Sequence, residues 1–366
     1  MRIRDYLLRI IAGALCIVLA AAIVTLVFMN QRRNRARAEE LKTRQEEIKR
    51  EEKEKLQKAS DLYIDLATLC QDIRIVCWGD EEMRGQEELS LPKALEETAN
   101  ESLFTEVKDA FSGILDLDEQ TPLDVETVNM GVSDEGMREI LARAGVNELQ
   151  VSQWTVIPAD TEPKNISMRD DVSSTPLRFA EQRRDLFGSV TILDVEGSLV
   201  AGEGEYDEDH PRFAFVRDEE GESIAAGSGT EIRIASAEEY LGYIPVIFLD
   251  GDQADTAYSS GAAKSVDAFV ENVESLADRY SEESGNYVVI CTTDEDSDVD
   301  LAFIEAFGDK YLRCDTYAED MSEEEFQALA KKVFEKLDKQ GCFDKEKSAA
   351  AKAVEELNEL SVKKEH

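Results

Sequence analysis

The chain has 366 residues, 42% of them hydrophobic and 7% aromatic, with 41 Lys+Arg against 80 Asp+Glu for a net charge of −39. The charge is unevenly placed: residues 1–60 hold 14 basic and 8 acidic side chains, so residues 61–366 carry −45 on their own. A body that acidic, with no basic stripe, repels phosphate backbones and excludes a nucleic-acid partner. Apolar runs such as Tyr243–Leu249 and Tyr287–Ile290 exclude a disordered chain.

Ile10 to Met29 is a run of twenty residues without a charge. At 1.5 Å per residue it spans about 30 Å, the hydrocarbon thickness of a bilayer. It is longer than a signal-peptide core of roughly 7–15 residues. Residues 1–30 therefore read as an uncleaved single-pass anchor. Arg2, Arg4 and Arg9 precede the run, and Arg32, Arg33, Arg35 and Arg37 follow it, which by itself leans toward a cytoplasmic body.

Residues 31–70 predict a charged helical stalk without Pro or Gly. Leu41, Ile48 and Leu56 give about one apolar residue per heptad, half of a coiled-coil seam. A single solvated helix is the preferred reading and a weak stalk-mediated dimer the alternative. Ala59, Tyr63, Leu66 and Leu69 then recur at three- and four-residue spacing, so this end is expected to pack onto the body.

The body, residues 71–343, opens with the β-rich run Ile73–Trp78, closed by Gly79-Asp80. A helix over Leu91–Phe111, a strand over Val125–Met130 and a helix over Glu135–Ala144 follow, a β-α-β-α start that predicts a parallel sheet. Between 151 and 236 the texture changes to short alternating runs, Ser189–Val195, Arg212–Val216 and Glu231–Ile234, which predict an inserted antiparallel β-subdomain. The α/β pattern resumes with strands at Ile244–Leu249, Tyr287–Thr292 and Tyr311–Cys314 and helices at Ser265–Arg279, Asp300–Phe307 and Ser322–Lys339. Residues 344–366 read as a charged helical tail.

Six cysteines (Cys16, Cys70, Cys77, Cys291, Cys314, Cys342) form no CxxC, so neither a zinc knuckle nor a disulfide framework is indicated. Histidine occurs only at His210 and His366, which leaves a histidine-based mechanism little to draw on. The acidic run Thr293–Asp300 lacks the glycine and distal glutamate of an EF-hand loop, and helix capping by Ser297 or Asp298 explains it better than calcium.

At Val76-Cys77-Trp78-Gly79-Asp80 the chain resembles the SGNH/GDSL hydrolases, whose first strand ends in Gly-Asp-Ser. Val128-Asn129-Met130-Gly131-Val132, followed by Ala142-Arg143-Ala144-Gly145, is similar to the second block of that family. Ile157–Asp160, Thr175–Arg178 and Val195–Gly197 resemble a β-insert of some bacterial members. Tyr240–Leu249, Phe307–Leu312 and Phe334–Phe343 resemble the third-block strand and the last strand and helix. The resemblance implies a flavodoxin-like, three-layer α/β/α SGNH fold with the insert, on a transmembrane helix and stalk.

The same resemblance implies what is missing. The family's nucleophilic serine falls on Glu81, its block-two glycine on Asp134 and its block-three asparagine on Asp252, while the Asp-x-x-His block is absent near Tyr317–Met321. An ionised Asp252 accepts hydrogen bonds and repels an oxyanion. His210, in an acidic loop beside Pro211, reads as a solvated residue rather than a displaced base. The expectation is a pseudoenzyme without catalytic residues or cofactor. Glu81, Asp134, Asp250 and Asp252 are expected to converge at the strand ends, either as a tolerated acidic remnant or as a site for a cation or cationic ligand.

The function expected is a membrane-anchored, non-catalytic binding or scaffold module at the cell envelope. Its partner would be an envelope polysaccharide, a cationic ligand or an envelope protein. The alternative is a hydrolase acting on acyl or acetyl esters with a non-standard site. Members with this insert are generally exported, which sets an extracytoplasmic body against the lean of the flanking arginines.

Overall fold

The computed structural model describes residues 2–70, 73–86, 89–117, 120–180, 184–205, 211–255, 265–282 and 284–362. His210 and His366 lie outside the described residues. Helix α1 (Arg2–Cys70) is one unbroken element of 69 residues, which a sequence free of Gly and Pro after Gly13 permits. Among the described residues it is the one helix long and apolar enough to cross a membrane. The stalk is solvated as far as Lys58, and burial begins at Ala59, Tyr63 and Leu66. Cys70, rather than the half-buried Leu69, completes the stripe.

The body follows in chain order as β1 (Arg74–Gly79), α2 (Glu81–Arg84), α3 (Leu91–Ser112), β2 (Glu126–Gly131) and α4 (Met137–Arg143). Short strands fill the middle: β3 (Leu149–Val151), β4 (Thr155–Ile157), β5 (Lys164–Ile166) and β6 (Met168–Asp170). After α5 (Arg184–Phe187) come β7 (Val190–Ile192), β8 (Val195–Glu205), β9 (Pro211–Arg217), β10 (Ile224–Ala226) and β11 (Ile232–Ile234). Then α6 (Ala235–Glu239), β12 (Ile244–Asp250), α7 (Val266–Ser281), β13 (Val288–Thr292) and α8 (Asp298–Phe307) lead to β14 (Tyr311–Cys314), α9 (Glu323–Lys339) and α10 (Asp344–Val362).

Strands β2-β1-β12-β13-β14 form a five-stranded sheet, parallel throughout. Counting these core strands alone, the order is 2-1-3-4-5, a doubly wound arrangement whose direction reverses between β1 and β12. Successive side chains serve opposite faces, which is why the three central strands β1, β12 and β13 read as nearly continuous apolar runs. Ile75, Cys77, Val246 and Phe248 face a layer built from the root of α1, α3, α9 and α10. Val76, Trp78, Ile247 and Leu249 face α4, α7 and α8. A second five-stranded sheet, β11-β7-β8-β9-β5, is antiparallel. Its Ile192, Leu199, Phe213 and Phe215 belong to the same buried cluster as Trp78 and Met130, so its core is continuous with that face of the parallel sheet.

Under the site, Arg143 and Glu135 form an ion pair at 2.8 Å with no exposed side-chain surface on either residue. The Arg143 guanidinium lies 5.1 Å from the centroid of the Trp78 ring. A pair so enclosed contributes through correct pairing, and removing one member leaves an uncompensated buried charge. Arg143→Ala is expected to destabilise the fold by about 3–5 kcal/mol in urea unfolding. Arg143→Met combined with Glu135→Gln should recover most of that loss. Equal losses in the single and the double variant would show that the pair does not act as a unit.

Candidate functional site

In a doubly wound sheet, side chains collect outside the carboxyl ends of the strands where the strand order reverses. Here that point lies between β1 and β12, and the chain leaves β1 through Gly79 into three consecutive acids, Asp80, Glu81 and Glu82. The turn is tight. A Cβ on Gly79 would lie 2.0 Å from the Phe248 carbonyl oxygen, and one on Gly131 would lie 2.4 Å from the Arg84 nitrogen. The one-turn helix α2 can therefore seat between the ends of β2 and β12 only over bare backbone.

The three acids point to three destinations. Asp80 has no exposed surface. Its Oδ1 accepts the Glu82 N–H at 3.0 Å and caps α2, while Oδ2 accepts the Asp250 N–H at 3.0 Å and Gln253 Nε2 at 3.2 Å. Burial, aided by the charge of Glu81, pushes its pKa well above the ordinary carboxylate range, while the two backbone donors pull the other way. Glu82 is also buried, and its Oε2 accepts Thr292 Oγ1 at 2.7 Å and the Ala318 N–H at 3.0 Å. Burial pushes its pKa up to about 7. Only Glu81 turns outward.

Glu81 meets the other residues that the sequence assigned to the mouth. Its Oε2 accepts the Asp134 N–H at 3.4 Å. Asp134 holds a left-handed φ of 63°, a conformation that favours glycine. Partial burial, followed by the charges of Asp250 and Asp134, raises the pKa of Glu81. Asp250 and Asp252 stand opposite on the β12 end, where the Asp250 Oδ1 accepts the Asp252 N–H at 3.0 Å. Burial and the Asp252 charge raise the pKa of Asp250. Glu81, Asp134, Asp250 and Asp252 are thus brought together, and the backbone donors of Asp134 and Asp252 are already aimed at the cluster's own carboxylates.

Beside the mouth a cleft of about 400 Å³ is lined by Gly251, Asp252, Thr293, Asp294, Arg313 and Tyr317, among others. The Tyr317 hydroxyl has its pKa raised first by Asp250 and then by burial. Arg313 is held by Asp315 at 2.9 Å and by Glu295 at 3.7 Å. Among the described residues no group of three or more His, Cys, Asp or Glu side chains is arranged to hold a metal ion. The acidic run before α8 is accounted for by capping: Ser297 Oγ accepts the Asp300 N–H, and Asp300 accepts the Asp296 N–H and the Tyr311 hydroxyl.

Sequence reasoning missed Glu82, Gln253 and Thr292. Gln253 donates to both Asp80 and the Glu135 carbonyl and accepts the Met137 N–H, so it joins three segments of the site floor. The available signal was the run of three acids directly after a strand, which is costly unless some of them find partners inside. Compared with protein-family models, with characterised proteins and with solved structures, the chain finds no match in any of the three.

Asp80 receives three donors on two oxygens, and asparagine would turn an amide toward one of those sets. Asp80→Asn is therefore expected to cost about 2–4 kcal/mol in urea unfolding. An unchanged midpoint would show that the turn does not depend on the carboxylate.

Proposed function

We propose that the chain is a membrane-anchored, non-catalytic module of SGNH/GDSL type, with the antiparallel strands as its β-insert, that binds a partner at the cell envelope. The observation that carries this reading is the use of the Glu81 carboxylate. It stands where the resembling family has its nucleophile, and it accepts the Asp134 N–H that such chemistry would aim at an oxyanion. The Asp252 N–H is likewise turned onto Asp250. Acyl transfer needs a hydroxyl or thiol, a base and free donors, and this mouth offers carboxylates in their place.

The alternative, an ester hydrolase with a non-standard site, requires another nucleophile. The hydroxyl of Thr292 is paired with Glu82 and buried; of the described body cysteines, Cys77, Cys291 and Cys314 are buried and Cys342 is half-buried, and burial pushes up the thiol pKa of all four. Thiols so protected resist oxidation, so unpaired cysteines are compatible with the extracytoplasmic placement proposed for the body. The stalk offers Leu41 and Ile48 at heptad spacing but Lys55 at the next such position, which favours a single helix over a dimer. A cationic ligand, an envelope glycan or an envelope protein suits an acidic mouth beside an exposed tyrosine.

The test is p-nitrophenyl acetate hydrolysis by the purified chain, with and without millimolar calcium, alongside Glu81→Ala. The expected rate in every case is that of buffer alone. Turnover that disappears in Glu81→Ala would overturn the non-catalytic reading.

A further inference from the structure

The C-terminal helix α10 does not trail into solvent. Glu346, Ala350, Ala353 and Leu357 are buried at spacings of four, three and four residues, and on α1 Ala59, Tyr63, Leu66 and Cys70 are buried at the same spacings. Two such stripes are the complementary seams of a helix pair. Their direction is fixed at both ends. Lys58 pairs with Glu356 at 3.3 Å, and the charge of Glu346 bears on the Cys70 thiol, so the helices run antiparallel. Helix α3 closes the third side, with Tyr63 edge-on to Phe111 at 5.1 Å between ring centroids. The start of α10 is held to α9 by stacking of Phe343 on Phe334 at 4.9 Å and by the Lys347–Asp338 ion pair. Its later turns reach the point where the stalk leaves the body.

We propose that α10 is a latch that clasps the root of α1 against α3 and thereby fixes the angle and height at which the body stands on its stalk. The stalk itself has no place to bend: residues 14–70 contain neither Gly nor Pro, the usual causes of a sharp kink. Thirty residues separate Met29 from Ala59, so the helix holds the body about 45 Å beyond the apolar segment. Any swing of the body must therefore occur at the root, where α10 sits. Alanines at 59, 350 and 353 allow the two backbones to approach closely. One feature weakens the grip: Glu346 is 6% exposed, and its Oε2 has no hydrogen-bond partner. A buried carboxylate oxygen left unmatched lowers the stability of the seated helix. The inference concerns how the body is held and does not depend on whether the mouth is catalytic.

The test uses the full chain in lipid nanodiscs, with Cys16→Ser and Cys342→Ser removing the cysteines that are not buried. Spin labels are placed at Thr43 on the stalk and Ser112 at the end of α3, both exposed. Thr43 is twenty residues before Tyr63, so pulsed electron–electron double resonance should give one narrow distance near about 30 Å. Ala353→Asp with Leu357→Asp should widen that distribution at least twofold while the melting of the body remains cooperative. A parent distribution already as wide as the variant's, or a variant as narrow as the parent, would overturn the proposal. Should the double variant fail to fold, Glu346→Leu decides: the latch requires the same narrow distance and a raised Tm, and a lowered Tm contradicts it.

Discussion

Asp80 lies without solvent contact at the end of the first core strand, and its two oxygens gather donors from the next turn of chain, from the end of β12 and from Gln253. A carboxylate can be held there only because nitrogen donors surround it, and those donors can arrive only if β1 and β12 end level with each other. The parallel register, with Gly79 opposite Phe248, provides that. Residues 79 and 131 must be bare backbone for α2 to approach. The remaining geometry of the site follows from this anchor. Glu81 is the first residue after it and is thrown outward, while Glu82 is turned inward to the ends of β13 and the 3-10 turn at Ala318–Asp320.

The consequence is a mouth whose polar groups satisfy one another. Asp134 and Asp252, whose backbone donors would otherwise be open to a ligand's oxygen, give their N–H groups to Glu81 and Asp250. Partial burial, with the neighbouring carboxylates second, raises the proton affinity of Glu81 and Asp250. Such a surface suits a positively charged or hydrogen-bond-donating partner and opposes chemistry that develops negative charge.

Much of the scaffold was legible because its physics is local. The three central strands β1, β12 and β13 are β-rich, largely apolar runs closed by Gly79, Asp250 and Thr292, and the helix over 323–339 is introduced by a capping box between Ser322 and Glu325. Convergence of Glu81, Asp134, Asp250 and Asp252 is expected from sequence only through the fold that the resemblance implies. The rest depends on partners far away in sequence. Glu82 looks like a surface acid until Thr292 and Ala318 are placed beside it, more than 200 residues later. Gln253 is an unremarkable loop residue without its three contacts. Helix α2, four residues long, is too short to show a period. The helix at 344–362 reads as a charged tail because a glutamate, Glu346, heads its buried stripe and alanines supply half of it.

The central claim, that the acids after β1 are divided between an exposed mouth and a buried anchor, is tested most directly by the pH dependence of stability. Glu82 is raised from an ordinary 4.5 to about 7. Between those values the folded chain keeps a proton that the unfolded chain releases, so its contribution is full below 4.5 and is lost as pH rises through 7. The size of that loss is on the order of 3 kcal/mol. Glu82→Gln keeps an oxygen to accept both Thr292 and Ala318 and removes the titration. Urea unfolding from pH 4.5 to 8.5 should show the parent losing more stability than Glu82→Gln, with the variant the more stable of the two at pH 8.5. Parallel curves, or a variant weaker at every pH, would place Glu82 outside the buried anchor and contradict the account.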